Sequence, residues 1–476
     1  MSAEWPLVTL KDAGISLIDC DHKTPKAQDQ GYPYVGIPQL KDGRIILDGA
    51  RLISEEDFNH WRRKAKPMPD DVILSRRCNP GEAAHVPDGL DIALGQNLVL
   101  LRSDSSKVYP PFLRWLAQGP QWWSQVNQYL NVGAVFDSLK CADIPKFEVF
   151  LPSINEQKKI SKALGDMDKK IQLNNQINQT LEQMAQAIFK SWFVDFEPVK
   201  AKIAALEAGG SEEDAQLSAM LAISGKDEAE LTRLQAEQPE QYAEIHATAE
   251  LFSSAMQDSE LGEIPEGWSV SQIGDEVTAV GGGTPSTKNP AFWEAGQISW
   301  TSPKDLSNLA DRVLVETERK ITEAGLAKIS SGLLPIDTVL MSSRAPVGYL
   351  ALAKIPVAVN QGYIAIKCEK TLTPAFVIQW CQSHMDEIKS RASGTTFAEI
   401  SKKNFKIIPV VTPSESLISI YSRQASSLYD AIENNVRESD TLAKLRDSLL
   451  PKLLTGELSI SGAEDHVQET AETADV

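Results

Sequence analysis

The chain has 476 residues, 42% of them hydrophobic and 24% charged, which is ordinary for a globular protein of roughly three domains. No apolar run reaches the ~20 residues of a membrane-spanning helix, and the first residues lack the basic and apolar regions of a signal peptide. The formal net charge is −18, which argues against a nucleic-acid partner until its distribution is examined. Residues 197–262 carry 14 acidic and 4 basic side chains, and residues 461–476 carry 5 acidic side chains with no Lys or Arg, leaving about −3 for everything else. Five scattered cysteines without a CxxC pair fit reduced thiols and a cytoplasmic location.

In chain order, residues 1–152 form a first domain of short strand-like runs. Its landmarks are Trp5, Thr24-Pro25, Pro38, Pro69, Asp71, Leu74, Pro80, Gln96, Gly133 and Phe136. Pro152-Ser153 then introduces a long helix, with Ser153 as N-cap, in the segment 153–197. Ile160, Leu164, Met167, Ile171, Asn174, Asn178, Leu181, Ala185, Ile188 and Trp192 alternate spacings of four and three, a heptad seam. The segment 198–262 is Ala-, Glu- and Gln-rich and is expected as short helices broken at Gly209-Gly210 and Gly225.

Residues 263–411 then repeat the first domain. Trp268, Thr284-Pro285, Pro303, Pro335, Asp337, Leu340, Pro346, Gln361, Gly394 and Phe397 fall in the same order, the central four at a constant offset of 266. Pro413-Ser414 introduces a second heptad helix in the segment 412–458, through Ile418, Tyr421, Ala425, Leu428, Ile432, Asn435, Ser439, Leu442, Arg446 and Leu449. A helix with such a stripe needs a partner, and the other copy is the nearest. If the two run antiparallel, Asn174, Asn178 and Asn435 face one another and fix register; otherwise they tolerate water at a loose spot. The acidic stretch 459–476 is expected to be disordered. Duplicated architecture without a shared task is the plainer alternative.

Catalytic signatures fail on inspection. Asn79-Pro80-Gly81-Glu82 lacks the second proline and the aromatic of an adenine-methyltransferase motif. The loop 281–286 lacks the Gly-Lys-Ser/Thr ending of a phosphate loop. The six histidines are isolated, and Asp19-Cys20-Asp21-His22 is too local to close around an ion. No catalytic residue and no metal site are expected. Residues suited to DNA instead recur at matched places. The first copy offers Lys23, Thr24, Lys26, Gln39, Lys41, Arg44, Arg76, Arg77, Asn79, Gln96 and Asn97. The second offers Thr284, Ser286, Lys288, Lys304, Ser342, Arg344, Asn360, Gln361 and Lys402. Arg and Lys pair with guanine, Asn and Gln with adenine, and all of these with phosphates. Two diverged readers on a helical ruler would address a bipartite, asymmetric site; a two-domain scaffold gripping protein or sugar is the alternative reading.

Three phrases carry a family resemblance: Ala-Ile-Phe-Lys-Ser-Trp-Phe-Val-Asp-Phe-Glu-Pro at 187–198, Glu-Leu-Gly-Glu-Ile-Pro-Glu-Gly-Trp at 260–268, and Leu-Arg-Asp-Ser-Leu-Leu-Pro-Lys-Leu-Leu-Thr-Gly-Glu-Leu at 445–458. With the duplication, the chain resembles the specificity subunit of type I restriction-modification enzymes along nearly its whole length. The resemblance implies an α+β fold: two repeated α/β target recognition domains separated by two long antiparallel coiled-coil helices in a pseudo-twofold arrangement. It implies a non-catalytic subunit that holds no cofactor and binds double-stranded DNA. Its expected partners are two methyltransferase subunits, which use S-adenosylmethionine, and two restriction subunits, which use ATP and Mg. No membrane partner is implied. The acidic helical linker is longer than the family leads one to expect.

Overall fold

A computed structural model describes residues 5–21, 23–133, 135–307, 309–394, 398–458 and 460. His22, Phe397 and the acidic stretch 461–476 lie outside the described residues. The chain divides into two compact units, residues 1–171 with 440–476, and residues 172–439.

The first unit is built on an antiparallel sheet in the order Ile15–Asp19, Leu98–Ser103, Val72–Ser75, Ala83–His85. The apolar runs of its central strands, Val72 to Leu74 and Leu98 to Leu101, are buried on both faces, which explains why they are unbroken. Beside it lies a three-stranded sheet in which Tyr32–Val35 pairs antiparallel with Arg51–Ile53 and parallel with Ala93–Leu94. The core includes Phe112, Trp115, Trp122 and Phe147. It is completed by Ile160 and Leu164 of one long helix and Leu449, Leu453 and Leu454 of the other.

The second unit repeats this plan. Thr278–Val280, Tyr363–Lys367, Thr338–Ser342 and Leu350–Ala353 take the places of the four sheet strands, with Val313–Leu314 added parallel at the edge. Ile298–Thr301 pairs antiparallel with Arg319–Ile321 and parallel with Ala358–Val359. The phrase at 187–198 supplies its core: Phe189, Trp192 and Phe193 pack edge-on against Phe252, Phe376 and Tyr421. Four helices follow: Glu197–Glu207 packs on the main core through Val199, and Glu212–Ser224, Glu228–Glu237 and Pro239–Glu250 form a satellite around Met220, Leu231 and Leu234.

The structure corrects the repeat register by one residue around the central turn. Ser75 pairs with Leu98 where Ser342 pairs with Tyr363, and Asp70, Cys78 and Gly81 share positive φ with Asp337, Ala345 and Gly348. The offset there is 267, so Arg77 corresponds to Arg344.

The long helices run Ile154–Phe193 and Glu415–Leu454, each 40 residues and therefore about 60 Å. Ser153 and Ser414 accept from the amides of Glu156 and Leu417 at 3.3 and 3.4 Å. Pro451 sits in the last turns of the second. Within the second unit they are antiparallel. Asn435 donates to Asn178 Oδ1 at 2.8 Å, and Asn174 donates to Ser439 Oγ and Glu438 at 3.2 and 2.8 Å. The seam asparagines do face one another, and Asn178 also donates to Asp311 at 2.9 Å.

Each unit grips the helices through an acid of the first helix, buried in one case and half-buried in the other. In the first unit Asp168 receives Arg446 of the second helix at 2.6 Å, Arg114, and Arg44 at 3.3 Å. Burial alone would raise the Asp168 carboxyl, but Arg114, with Arg446 and Arg44, outweighs it and holds it below the usual range. In the second unit Glu182 receives Arg312 at 2.5 Å and Gln379 at 3.1 Å.

His85, beside this cluster, is depressed to about 4 by burial first and by Arg114 second. A histidine held neutral in the fold but protonated in the unfolded chain destabilises the fold as pH falls. The first unit is expected to lose melting temperature between about pH 6.5 and pH 4, and His85→Gln should flatten that part of the profile in a pH series of thermal melts.

Candidate nucleic-acid interface

In the first unit the segment 23–26 is an irregular loop, with Lys23, Thr24 and Lys26 exposed and Pro25 buried as the plug that seats it. Its carbonyls are held from behind. Trp61 Nε1, at the end of the helix Glu55–Trp61, donates to Lys23 O at 2.8 Å, and the Tyr34 hydroxyl donates to the same oxygen at 3.2 Å. Arg51 donates to Pro25 O at 3.1 Å. The Tyr34 oxygen also accepts from the Gln96 amide at 3.2 Å, which ties the exposed Gln96 to the loop. Asn97, at φ 70°, then accepts through its carbonyl from the Arg76 amide at 2.9 Å. Thus Lys23, Lys26, Gln96, Asn97, Arg76 and Arg77 lie on one hydrogen-bonded edge.

The second unit builds the same edge with other residues. Thr284, Ser286 and Lys288 are exposed around a buried Pro285. Trp300 Nε1 donates to Gly283 O and Trp293 Nε1 to Ser286 O, both at 3.1 Å. Trp300 faces Ala358 across its sheet as Tyr34 faces Ala93, so the two pins occupy one register position. Arg319 lies over the Trp293 ring at 3.6 Å and steadies it. Thr284 Oγ1 donates to Gln361 Oε1 at 2.6 Å, which leaves the Gln361 amide nitrogen as the outward group. Asn360 uses its side-chain oxygen on the Gly362 amide at 2.8 Å and is spent on the turn. The Ser343 amide donates to Gly362 O at 2.8 Å, tying Arg344 into the edge. Lys402 is exposed beside Gly281.

Several expected residues stand elsewhere. Arg44 is turned inward onto Asp168 and belongs to the helix clamp. Gln39 accepts from the Gly36 amide at 3.0 Å, and Lys41 is exposed on the small hairpin with Arg44, away from the hydrogen bonds that build the edge. Asn79 is exposed on the turn after Arg77, and Lys304 pairs with Glu318 at 3.1 Å. Ser342 is fully buried; it donates to Pro346 O and accepts from the Tyr349 amide, so it shapes the turn below Arg344. Arg344 itself lies 3.7 Å from Glu399.

The pins Trp61, Tyr34, Trp293 and Trp300 were not singled out from the sequence. Their partners are seven to 38 residues away, and no periodicity marks them. Cys20 is a further hidden support: its thiol donates to Leu98 O at 2.8 Å, and burial pushes it up to about 11. Among the described residues no group of three or more His, Cys, Asp or Glu is placed to hold a metal ion.

The turn carrying Arg77 depends on Gly81 at φ 98°, where an added Cβ would lie 2.8 Å from Val126 and 2.9 Å from Trp123. Gly81→Ala is expected to cost about 1–3 kcal/mol in denaturant unfolding.

Comparisons with known proteins identify the family. The family model described as the type I restriction modification DNA specificity domain matches residues 3–183 and 265–417, one match in each half of the chain. The specificity subunit of the type I restriction enzyme HindI from Haemophilus influenzae is 32% identical over 417 residues, covering 85% of this chain and 89% of that one. The MjaIX specificity subunit from Methanocaldococcus jannaschii is 32% identical over 196 residues, covering 41% of this chain and 45% of its own. The crystal structure of a type I S subunit from M. genitalium shares the fold at a TM-score of 0.51 and 14% identity, over 95% of this chain and 96% of that one. The chain therefore belongs to the family of type I restriction-modification DNA specificity proteins.

Proposed function

We propose that each recognition edge reads one half of a bipartite, asymmetric DNA site, and that the chain supplies the address while partner subunits supply the chemistry. The observation that carries this reading is the edge built twice in one chain: a proline-seated loop, an aromatic pin, a glutamine and an arginine segment. The frame is common and the exposed side chains differ, so the two half-sites differ. Arg77 in the first unit suits a guanine edge, and Lys23 and Lys26 suit phosphates. Gln361, with its oxygen held by Thr284, offers an N–H donor to a purine acceptor in the major groove. Loops pinned from behind lose little freedom on binding, which favours discrimination over mere adhesion.

The assignment of residues 1–152 and 263–411 as the two readers, and of 153–197 and 412–458 as spacer helices, forms part of this proposal. The helices fix the unread spacer between half-sites, and the acidic segment 198–262 keeps backbone phosphates off its own surface by repulsion. The chain acts in the cytoplasm with two methyltransferase subunits, users of S-adenosylmethionine, and two restriction subunits, users of ATP and Mg. A docking surface for a methyltransferase subunit is offered by the first helix. Leu173, Ile177 and Met184 are 49%, 38% and 47% exposed at spacings of four and seven, an apolar stripe left open on a helix whose other face is packed.

The deciding experiment is methylome sequencing of a host carrying this chain with its cognate methyltransferase, against the same host lacking the chain. A bipartite methylated motif that disappears with the chain is expected; a motif that persists overturns the reading. The stripe makes a separate prediction. Leu173→Glu with Ile177→Glu should abolish co-purification of the methyltransferase while the circular dichroism of the chain is unchanged.

A further inference from the structure

The hairpin between Asn131 and Ser138 supplies none of the side chains of the edge described above, yet it carries three apolar side chains that stand in water. Val132 is 83% exposed, Val135 77% and Phe136 58%, the highest values for large apolar residues among the described residues. The hairpin's described residues are nevertheless firmly tied. Asn131 and Ser138 exchange both backbone hydrogen bonds, at 2.9 and 3.0 Å. The Asn131 side chain donates to Tyr129 O at 3.3 Å, and Asp137 turns back to accept from the Gly133 amide at 3.3 Å. A Cβ on Gly133 would lie 2.4 Å from Phe136 O, so position 133 takes only glycine. The base of the hairpin is joined to the arginine segment: Arg77 bridges Ser138, and the Leu139 amide donates to Arg76 O at 2.9 Å.

We propose that this hairpin is an apolar finger that packs Val132, Val135 and Phe136 onto the bases of the first half-site, next to the base contact of Arg77. The proposal rests on the specificity reading and deepens it. Three observations favour DNA as the occupant over a protein surface. The finger is hydrogen-bonded to the segment carrying two arginines, and exposed Lys140 follows it, so its flank is basic. The second unit makes the same joints at its arginine segment, with Ser393 and Arg344 both bridging Glu399 and the Ile400 amide donating to Ser343 O at 3.0 Å. The sequence repeats the Gly-x-x-Phe spacing, 133–136 in one copy and 394–397 in the other. Valine and phenylalanine have nothing to offer a phosphate. They recognise thymine methyl groups and base faces, by contact in a groove or by wedging into a base step.

The test uses the full chain assembled with its methyltransferase and the duplex found by methylome sequencing. Dissociation constants are measured by fluorescence anisotropy over a salt series. Phe136→Ala, and separately Val132→Ser with Val135→Ser, should weaken binding by about tenfold or more. The dependence of log K on log salt should stay unchanged, because no phosphate contact is lost. Lys23→Ala is the contrast, lowering that slope by about one. Replacing thymine by uracil in the first half-site should weaken the wild type and leave the finger variants unaffected. Wild-type affinity in both finger variants overturns the proposal, as does a loss that appears only together with release of the methyltransferase, which would assign the finger to a subunit contact. A wild-type complex that selects no sequence overturns the specificity reading itself, and the finger with it.

Discussion

A buried carboxylate, set beside the apolar packing of both long helices, fixes how the first unit sits on its scaffold. Asp168 lies on the first long helix and takes Arg446 from the second helix and Arg44 and Arg114 from the recognition domain. A charge so buried is tolerable only while it is paired, and removing one partner typically costs about 3–5 kcal/mol. Such a cluster contributes less to net stability than to uniqueness, because a guanidinium fork accepts few orientations. The recognition domain is thus fixed in angle on its helices, which a reader of base edges requires. Glu182 does the equivalent task in the second unit with Arg312, Gln379 and a more distant Tyr429 hydroxyl at 3.4 Å. The two clamps use different chemistry for one mechanical end, as diverged copies of one plan would.

In each unit the sheet strands are committed to burial, and the proposed reading leaves recognition to the loops. The aromatic pins connect the two. Tyr34 and Trp300 stand at one register position in the small sheet, with ring bodies in the core and polar tips on loop carbonyls. The loop sequences can therefore change while their backbone stays in place. Separating frame from readout in this way lets one fold address many sites.

Much of the frame was legible in the sequence. The heptad seams placed both helices to within a few residues, since a 3.5-residue repeat over forty residues has no competing explanation. The facing asparagines followed from the seam and an antiparallel pairing. The repeat revealed the duplication but missed its register by one residue, because Pro80 and Pro346 are not equivalent; Gly81 and Gly348 are. The site was less legible. Arg44 looked like a surface cation because its acid, Asp168, lies 124 residues away. Ser342 looked like a donor on a loop because nothing local marks the end of a buried strand. The pins are aromatic residues whose N–H and O–H partners are backbone oxygens, and a carbonyl leaves no trace in a sequence.

The core of the first unit is closed by Leu449, Leu450, Leu453 and Leu454, from the far end of the chain. During synthesis, then, the domain made first is the one completed last. Until the last turns of the final helix leave the ribosome, the apolar side of Trp115, Ile160 and Leu164 has no cover, while the second unit, which takes Leu417 to Ile432 from the earlier part of that helix, already holds every segment of its own core. A message cut short before residue 445 yields a chain with one finished reader and one open one. Proteolysis of open cores would remove such products, so that half-literate subunits do not accumulate beside complete ones.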